Sequence, residues 1–136
     1  MKGTPEGDIS TTLNRLHAAA SAADFDVYFS LFTQDAVFIG TDPKERWTLE
    51  QFKAYTKPYF SEGKGWTYLP KERHVTMSKH ADLAWFDELL WNDKYRFCRG
   101  SGVVRKDSDG EWRVEQYVLS FAIANEVAKE ATNIGK

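Results

Sequence analysis

Asp82-Leu83-Ala84-Trp85-Phe86-Asp87-Glu88-Leu89-Leu90-Trp91, followed by the runs Tyr95 to Lys106 and Glu111 to Phe121, is the stretch that decides the fold of this 136-residue chain. In the first run one parity carries Leu83, Trp85, Leu89 and Trp91, and the other carries Ala84, Phe86 and Leu90. Both faces are apolar, so the pattern predicts a strand covered on both sides. The second and third runs are joined by Lys106-Asp107-Ser108-Asp109-Gly110-Glu111, whose Asp109-Gly110 pair suits a tight turn needing positive φ. Two consecutive hairpins, three long antiparallel strands, are expected.

Outward from these strands, the upstream chain reads as helices. Asp8 or Ser10 serves as an N-cap, and Ile9, Leu13, Leu16 and Ala20 follow on one helical face, which His17 shares. Asp24 caps a shorter second helix in which Phe25, Tyr28, Phe29 and Phe32 recur at i, i+3, i+4 and i+7. Thr33-Gln34-Asp35 breaks that period, and Ala36 to Ile39 reads as a short strand ending in the loop Gly40 to Pro43. Thr48 and Gln51 form a capping box for a third helix, which Pro58 is expected to kink or end. Trp66 to Ser78 has the length of a strand, and Pro70 within it predicts a bent or bulged edge. The tail Asn125 to Lys136 forms a short helix or frays. This order predicts an α+β fold, with helices on one face of a curved antiparallel sheet.

Composition narrows the function classes. Five Trp, nine Phe and six Tyr supply a bulky core, and one domain spanning residues 1–136 is expected. A formal net charge of −2 with dispersed Lys and Arg gives no basic patch, which argues against nucleic acid. Cys98 is the single cysteine, His17, His74 and His80 lack metal-ligand spacing, and no phosphate loop or nucleophile elbow is present, so no metal or cofactor is expected. No apolar run approaches a membrane span, and Met1 to Gly7 lacks a signal-peptide core, so a cytoplasmic protein without membrane association is the expectation.

Phe25 to Asp42, the later Glu45-Arg46-Trp47, Trp85-Phe86-Asp87-Glu88-Leu89-Leu90, Arg99 to Lys106, and Gly110 to Phe121 together resemble the SnoaL-like branch of the nuclear transport factor 2-like superfamily. The likeness runs from about residue 9 to 125. It implies a cone-shaped α+β roll: three N-terminal helices packed in a strongly curved antiparallel sheet, a cavity at the open end, and usually a homodimer. It implies no single activity, since the superfamily includes isomerases, cyclases, hydrolases, dehydratases, association domains and carriers. In its ketosteroid-isomerase-like members a catalytic Asp follows the first strand; the matching position here is Gly40, with Asp42 two residues late, so that role is not carried over.

Polar residues on apolar stripes are the candidate site. Asp87 shares its parity with four large apolar residues, where a carboxylate needs a partner or a proton. With Asn92-Asp93-Lys94 as a three-residue hairpin loop, the ladder sets Asp87 across from Arg99; one register slip sets Glu88 there instead. Buried, the pair either holds the sheet together or supplies charge to a pocket. Gln116 shares a face with Trp112, Val114 and Val118, and Gly100 and Gly102 leave space in the neighbouring strand for a bend or a ligand. That parity would put Tyr117, Leu119 and Phe121 on an outer face available for dimerisation. His17 is either a core histidine or a base on the helix that crosses the cone. Asp42 and Trp47 lie in the loop at its mouth, as contact and lid or as solvent-facing residue and core plug, and Tyr28 and Tyr55 point inward from helices. Asp87, Arg99 and His17 are thus the catalytic candidates, and Asp42, Trp47, Gln116, Tyr28 and Tyr55 the ligand-binding ones.

Two functional readings follow. One is a domain that binds a small apolar molecule in its cavity and does acid-base chemistry on it. The other is a non-catalytic dimerisation or association module whose pocket is filled by its own aromatic side chains.

Overall fold

The computed structural model describes residues 3–134. Helix α1 (Pro5–Ser21) is followed by α2 (Phe25–Ser30), β1 (Phe32–Ile39), β2 (Arg46–Thr48), α3 (Leu49–Ser61), β3 (Leu69–Met77), β4 (Leu83–Asn92), β5 (Arg96–Lys106), β6 (Trp112–Phe121) and α4 (Asn125–Ile134). The strands form one curved sheet in the order β2-β1-β6-β5-β4-β3, antiparallel throughout except where β1 lies parallel to β6. Helices α1 to α3 pack against the sheet's inner face, so the α+β cone is what the chain forms.

Local chemistry explains most boundaries. α1 begins earlier than Asp8 or Ser10 because Thr4 caps it, accepting a hydrogen bond from the Gly7 N–H at 3.1 Å, with Pro5 preorganised in the first turn. Asp24 caps α2, and Thr48 with Gln51 makes the reciprocal capping box of α3. Pro58 lies inside α3 without ending it; so close to the C-terminus it forfeits one N–H donor and the helix runs on to Ser61. β1 starts at Phe32 rather than Ala36, and its register against β6 shifts between Phe32 and Val37, which accommodates the polar Gln34 and Asp35. β3 is the sheet's edge and shifts register between Pro70 and Glu72. Gly110 takes φ 85° in the β5–β6 turn. The tail forms α4; Gly135 and Lys136, its last two residues, lie outside the described residues.

Two irregularities overturn the expected cross-strand pairing in one hairpin and the expected facing of side chains in the next. In the β4–β5 hairpin, Asn92 belongs to the strand and pairs with Arg96, and its Oδ1 accepts from the N–H groups of Lys94 and Tyr95 at 2.9 and 2.8 Å. Arg96 adopts φ 67° to close that turn. The ladder therefore sets Asp87 across from Ser101, Glu88 across from Gly100 and Leu89 across from Arg99. In β6, Val104 pairs with Val114 but Val103 with Gln116, so Glu115 is a bulged residue and the parity flips after it. Val114 faces inward, and so do Tyr117 and Leu119, while Gln116 and Val118 turn outward.

The bulge brings two strands close. A Cβ on Gly102 would lie 1.8 Å from the Gln116 carbonyl oxygen, so only glycine fits beneath the bulged chain. Gly102→Ala is accordingly expected to lower stability by about 1–3 kcal/mol, measured as the urea midpoint at unchanged m-value. A variant as stable as the parent would mean that the bulge is absent.

Candidate active site

The inward face of β4 carries Ala84, Phe86, Glu88 and Leu90, so a carboxylate sits in the middle of the apolar core, 0% exposed. An ionised group there is sustained only by donors that replace water. Three elements supply them. From β6, the Tyr117 hydroxyl donates to Glu88 Oε2 at 2.5 Å. From α1, His17 Nε2 lies 2.6 Å from the same oxygen. From β3, in register with Glu88, Arg73 donates through Nε to Oε1 at 2.8 Å. The Arg73 Nη2 stands 2.8 Å from Oε1 as an ion-pair contact without a hydrogen bond of its own. Gly100 makes the arrangement possible, because a Cβ there would sit 2.0 Å from the Tyr117 hydroxyl oxygen.

Burial by itself would raise the Glu88 carboxyl; the hydrogen bond and attraction of His17, with the Tyr117 hydroxyl and Arg73, outweigh it and hold Glu88 below its ordinary 4.5. Tyr117 moves the other way: burial, then the neighbouring Glu88 charge, pushes its hydroxyl well above 10.0 and keeps it a donor. An ionised acceptor at 2.6 Å requires a proton on His17 Nε2; Nδ1 has no hydrogen-bond partner among the described residues and is a lone-pair acceptor whenever the ring is the neutral Nε2–H imidazole.

A cavity of about 20 Å³, room for one water, lies beside this cluster, walled by His17, Tyr28, Phe38, Trp66, Tyr68 and Tyr117. Tyr28, 2% exposed, has no acceptor for its O–H among the described residues; burial raises its hydroxyl far beyond ionisation, while Trp66 partly offsets that. Burial also pushes Tyr68 up to about 12. The cavity wall thus offers neutral hydroxyl donors and one imidazole acceptor. Among the described residues no cluster of His, Cys, Asp and Glu is placed to hold a metal.

Of the residues singled out in the sequence, His17 and Tyr28 are together at this cavity. Asp87 is not: it is exposed on the outer face opposite Ser101, and Arg99 is exposed opposite Leu89, so the expected pair does not form. Gln116 is turned out by the Glu115 bulge. Asp42 is exposed and closes its own turn, accepting from the Lys44 N–H at 2.8 Å. Trp47 stacks on Tyr55 at 4.6 Å and on Phe52 at 5.3 Å, which makes it a plug over the core, with Tyr55 on the exposed side. Arg73 and Tyr117 were not among the sequence candidates. Arg73 shares the parity of Val75 and Met77, a readable signal; Tyr117 had none, because the bulge that turns it inward leaves no local mark.

Helices packed against the inner face of a curved six-stranded sheet define the class, that of small α+β roll domains. The chain belongs to the SnoaL-like domain family, whose pattern matches residues 9–124. Solved structures similar to it include a domain of unknown function with a cystatin-like fold from Nostoc punctiforme PCC 73102, with TM-score 0.76, 16% identity, and 99% of this chain and 88% of that one covered. Another is an NTF2-like protein of unknown function from Pseudomonas putida KT2440, with TM-score 0.71, 17% identity and coverage of 90% and 89%. A third is a ketosteroid isomerase-like protein from Erwinia carotovora atroseptica SCRI1043, with TM-score 0.65, 19% identity and coverage of 87% and 96%. At these identities the likeness is one of fold. Among curated proteins no match is found. No helix among the described residues is long and apolar enough to cross a membrane.

Removing one partner of a buried charge pair is expensive, so Glu88→Gln is expected to cost on the order of 3–5 kcal/mol in chemical denaturation, whereas exposed Asp87→Asn stays within about 0.5 kcal/mol. The pH dependence follows from the two shifts. Glu88 is lowered, so its contribution is complete above 4.5 and is lost as pH falls through its folded value. Tyr117 is raised, so its contribution is complete below 10.0 and is lost as pH climbs beyond that. Urea midpoints should fall on both limbs, and Tyr117→Phe should flatten the alkaline limb relative to the parent.

Proposed function

We propose that the protein binds a small, largely apolar molecule between α1 and the inner sheet face and transfers a proton on it, with His17 as the base. The observation that carries this reading is the Glu88–His17 contact, which fixes the imidazole through Nε2 and leaves Nδ1 unpartnered at the cavity. Tyr28 supports it, since its neutral hydroxyl lines the same cavity and can donate to a ligand oxygen. For a ligand carbonyl bound to that hydroxyl, Nδ1 takes a proton from the adjacent carbon, and the electron pair moves onto the oxygen, which Tyr28 stabilises. Glu88 stabilises the imidazolium until the proton returns to carbon. Likeness in fold to a protein named ketosteroid isomerase-like is consistent with such chemistry.

A second reading, a self-filled association module, is favoured by the size of the cavity, which holds about one water between the protein's own rings. A ligand of any bulk requires Trp66 and Tyr68 to swing out. Both lie in the connection between α3 and β3, outside regular structure except where β3 begins after them. In either reading the outer sheet face is the surface for a second copy: Trp85 and Phe97 are 48% and 44% exposed there, with Leu89, Trp91 and Val118 alongside. The expected Tyr117, Leu119 and Phe121 patch is broken up: β6 buries Tyr117 and Leu119 on the inner face, and only Phe121 at the strand's end is exposed. Light scattering on the protein at micromolar concentration is expected to give twice the chain mass, and Trp85→Lys to give one.

The catalytic reading is tested with 2-acetylnaphthalene, a neutral aromatic ketone, in deuterated buffer. The protein is expected to accelerate deuterium exchange into the methyl group, read by NMR; His17→Gln should lose at least a hundredfold of that rate and Tyr28→Phe about tenfold. Absence of exchange together with absence of Trp66 fluorescence quenching would leave the association module as the function.

A further inference from the structure

Arg73 reaches further than its ion pair. Its Nε is spent on Glu88 Oε1, but Nη1 donates to Asn14 Oδ1 at 2.8 Å and to the Ser10 carbonyl at 3.3 Å. These are the only hydrogen bonds between β3 and α1 among the described residues. Ser10, Asn14 and His17 stand at i, i+4 and i+7, one face of α1, so the guanidinium grips the same face one and two turns before the imidazole. The two carboxylate oxygens of Glu88 are divided cleanly: Oε1 belongs to Arg73, and Oε2 to His17 and Tyr117.

We propose that Arg73 is a positioning residue for His17, holding the carboxylate with one arm and the helix with the other so that Oε2 meets Nε2 and the ring is kept in its Nε2–H form. Two degrees of freedom have to be fixed for that contact. One is the rotation of the Glu88 carboxylate, which Arg73 stops by occupying Oε1. The other is the height of α1 over the sheet, which the Ser10 and Asn14 bonds set. Lysine cannot do both, since one ammonium on a flexible stem lacks the planar fork that reaches Oε1 and Asn14 together. The groups facing the imidazole are Glu88 from β4, Tyr117 from β6 and, through Glu88, Arg73 from β3; its ring also meets Tyr117 edge to face at 6.1 Å. The proposal gives the base of the function read above its tautomer, and so rests on that reading for its catalytic meaning.

The test is nitrogen-15 NMR of the His17 ring in ligand-free protein at neutral pH, for the parent, Arg73→Gln, Arg73→Lys and Asn14→Ala. The parent is expected to show a single form with Nε2 protonated. Arg73→Gln and Arg73→Lys should lose that preference at least tenfold, giving a mixture of the two tautomers, and Asn14→Ala should show an intermediate loss. Asn14 is exposed and its change leaves every charge in place, so it reports even where the arginine variants fail to fold. Folded variants with the parent's ring spectrum would overturn the proposal, as would an unchanged spectrum in Asn14→Ala alone. Because the measurement needs no turnover, it is separate from the exchange assay: failed deuterium exchange with the expected tautomer loss removes the function and leaves the positioning role.

Discussion

A buried carboxylate is the constraint around which this structure is arranged. Glu88 sits where the β4 pattern demands an apolar side chain, and in a low-dielectric interior its charge is tolerable only with donors on both oxygens. Each surrounding irregularity contributes to that end. The Glu115 bulge turns Tyr117 inward, Gly100 vacates the volume its hydroxyl occupies, β3 aligns Arg73 with Glu88, and α1 delivers His17. None of these features lies near the others in sequence.

Such a network is costly compared with a hydrocarbon core of the same shape. A single arginine would neutralise Glu88; His17 is then surplus to charge balance, and its second nitrogen has no hydrogen-bond partner among the described residues. That surplus is what separates this cluster from a structural ion pair such as Arg113 with Asp107 and Asp109, where the guanidinium is taken up by the β5–β6 turn carboxylates and the Ser30 carbonyl. The aromatic packing points the same way. Phe38 stacks between Phe52 at 4.1 Å and Tyr117 at 5.6 Å, so the rings that fill the cone also form the wall against which His17 is presented.

The outer face sets a different problem. Trp85, Leu89, Trp91 and Phe97 alternate with the inward set of β4 and β5, so the bulkiest parity of β4 is the one turned away from the helices. A strand apolar on both sides needs a cover on both sides. Here the described residues supply only one, which is why the bulky parity, taken by itself, misleads about where the interior lies.

By itself the sequence determined the order of the first three helices and the longer strands, though not the short β2, together with the β5–β6 turn at Asp109-Gly110, the capping of α2 and α3, the bulged edge at Pro70 and the membership of His17 and Tyr28 in an inward face. These follow from short-range chemistry: periodicity, caps, and the conformational limits of proline and glycine. Only the tertiary structure decided that Glu88 rather than Asp87 is buried, that Tyr117 replaces Gln116 on the inner wall, and that Arg73 rather than Arg99 is the counter-charge. Each of those outcomes turns on register. A single bulged residue such as Glu115 exchanges the two faces of the strand beyond it, and where both faces are apolar, as in β4, nothing local distinguishes them; the choice is made by what packs against the sheet from far along the chain.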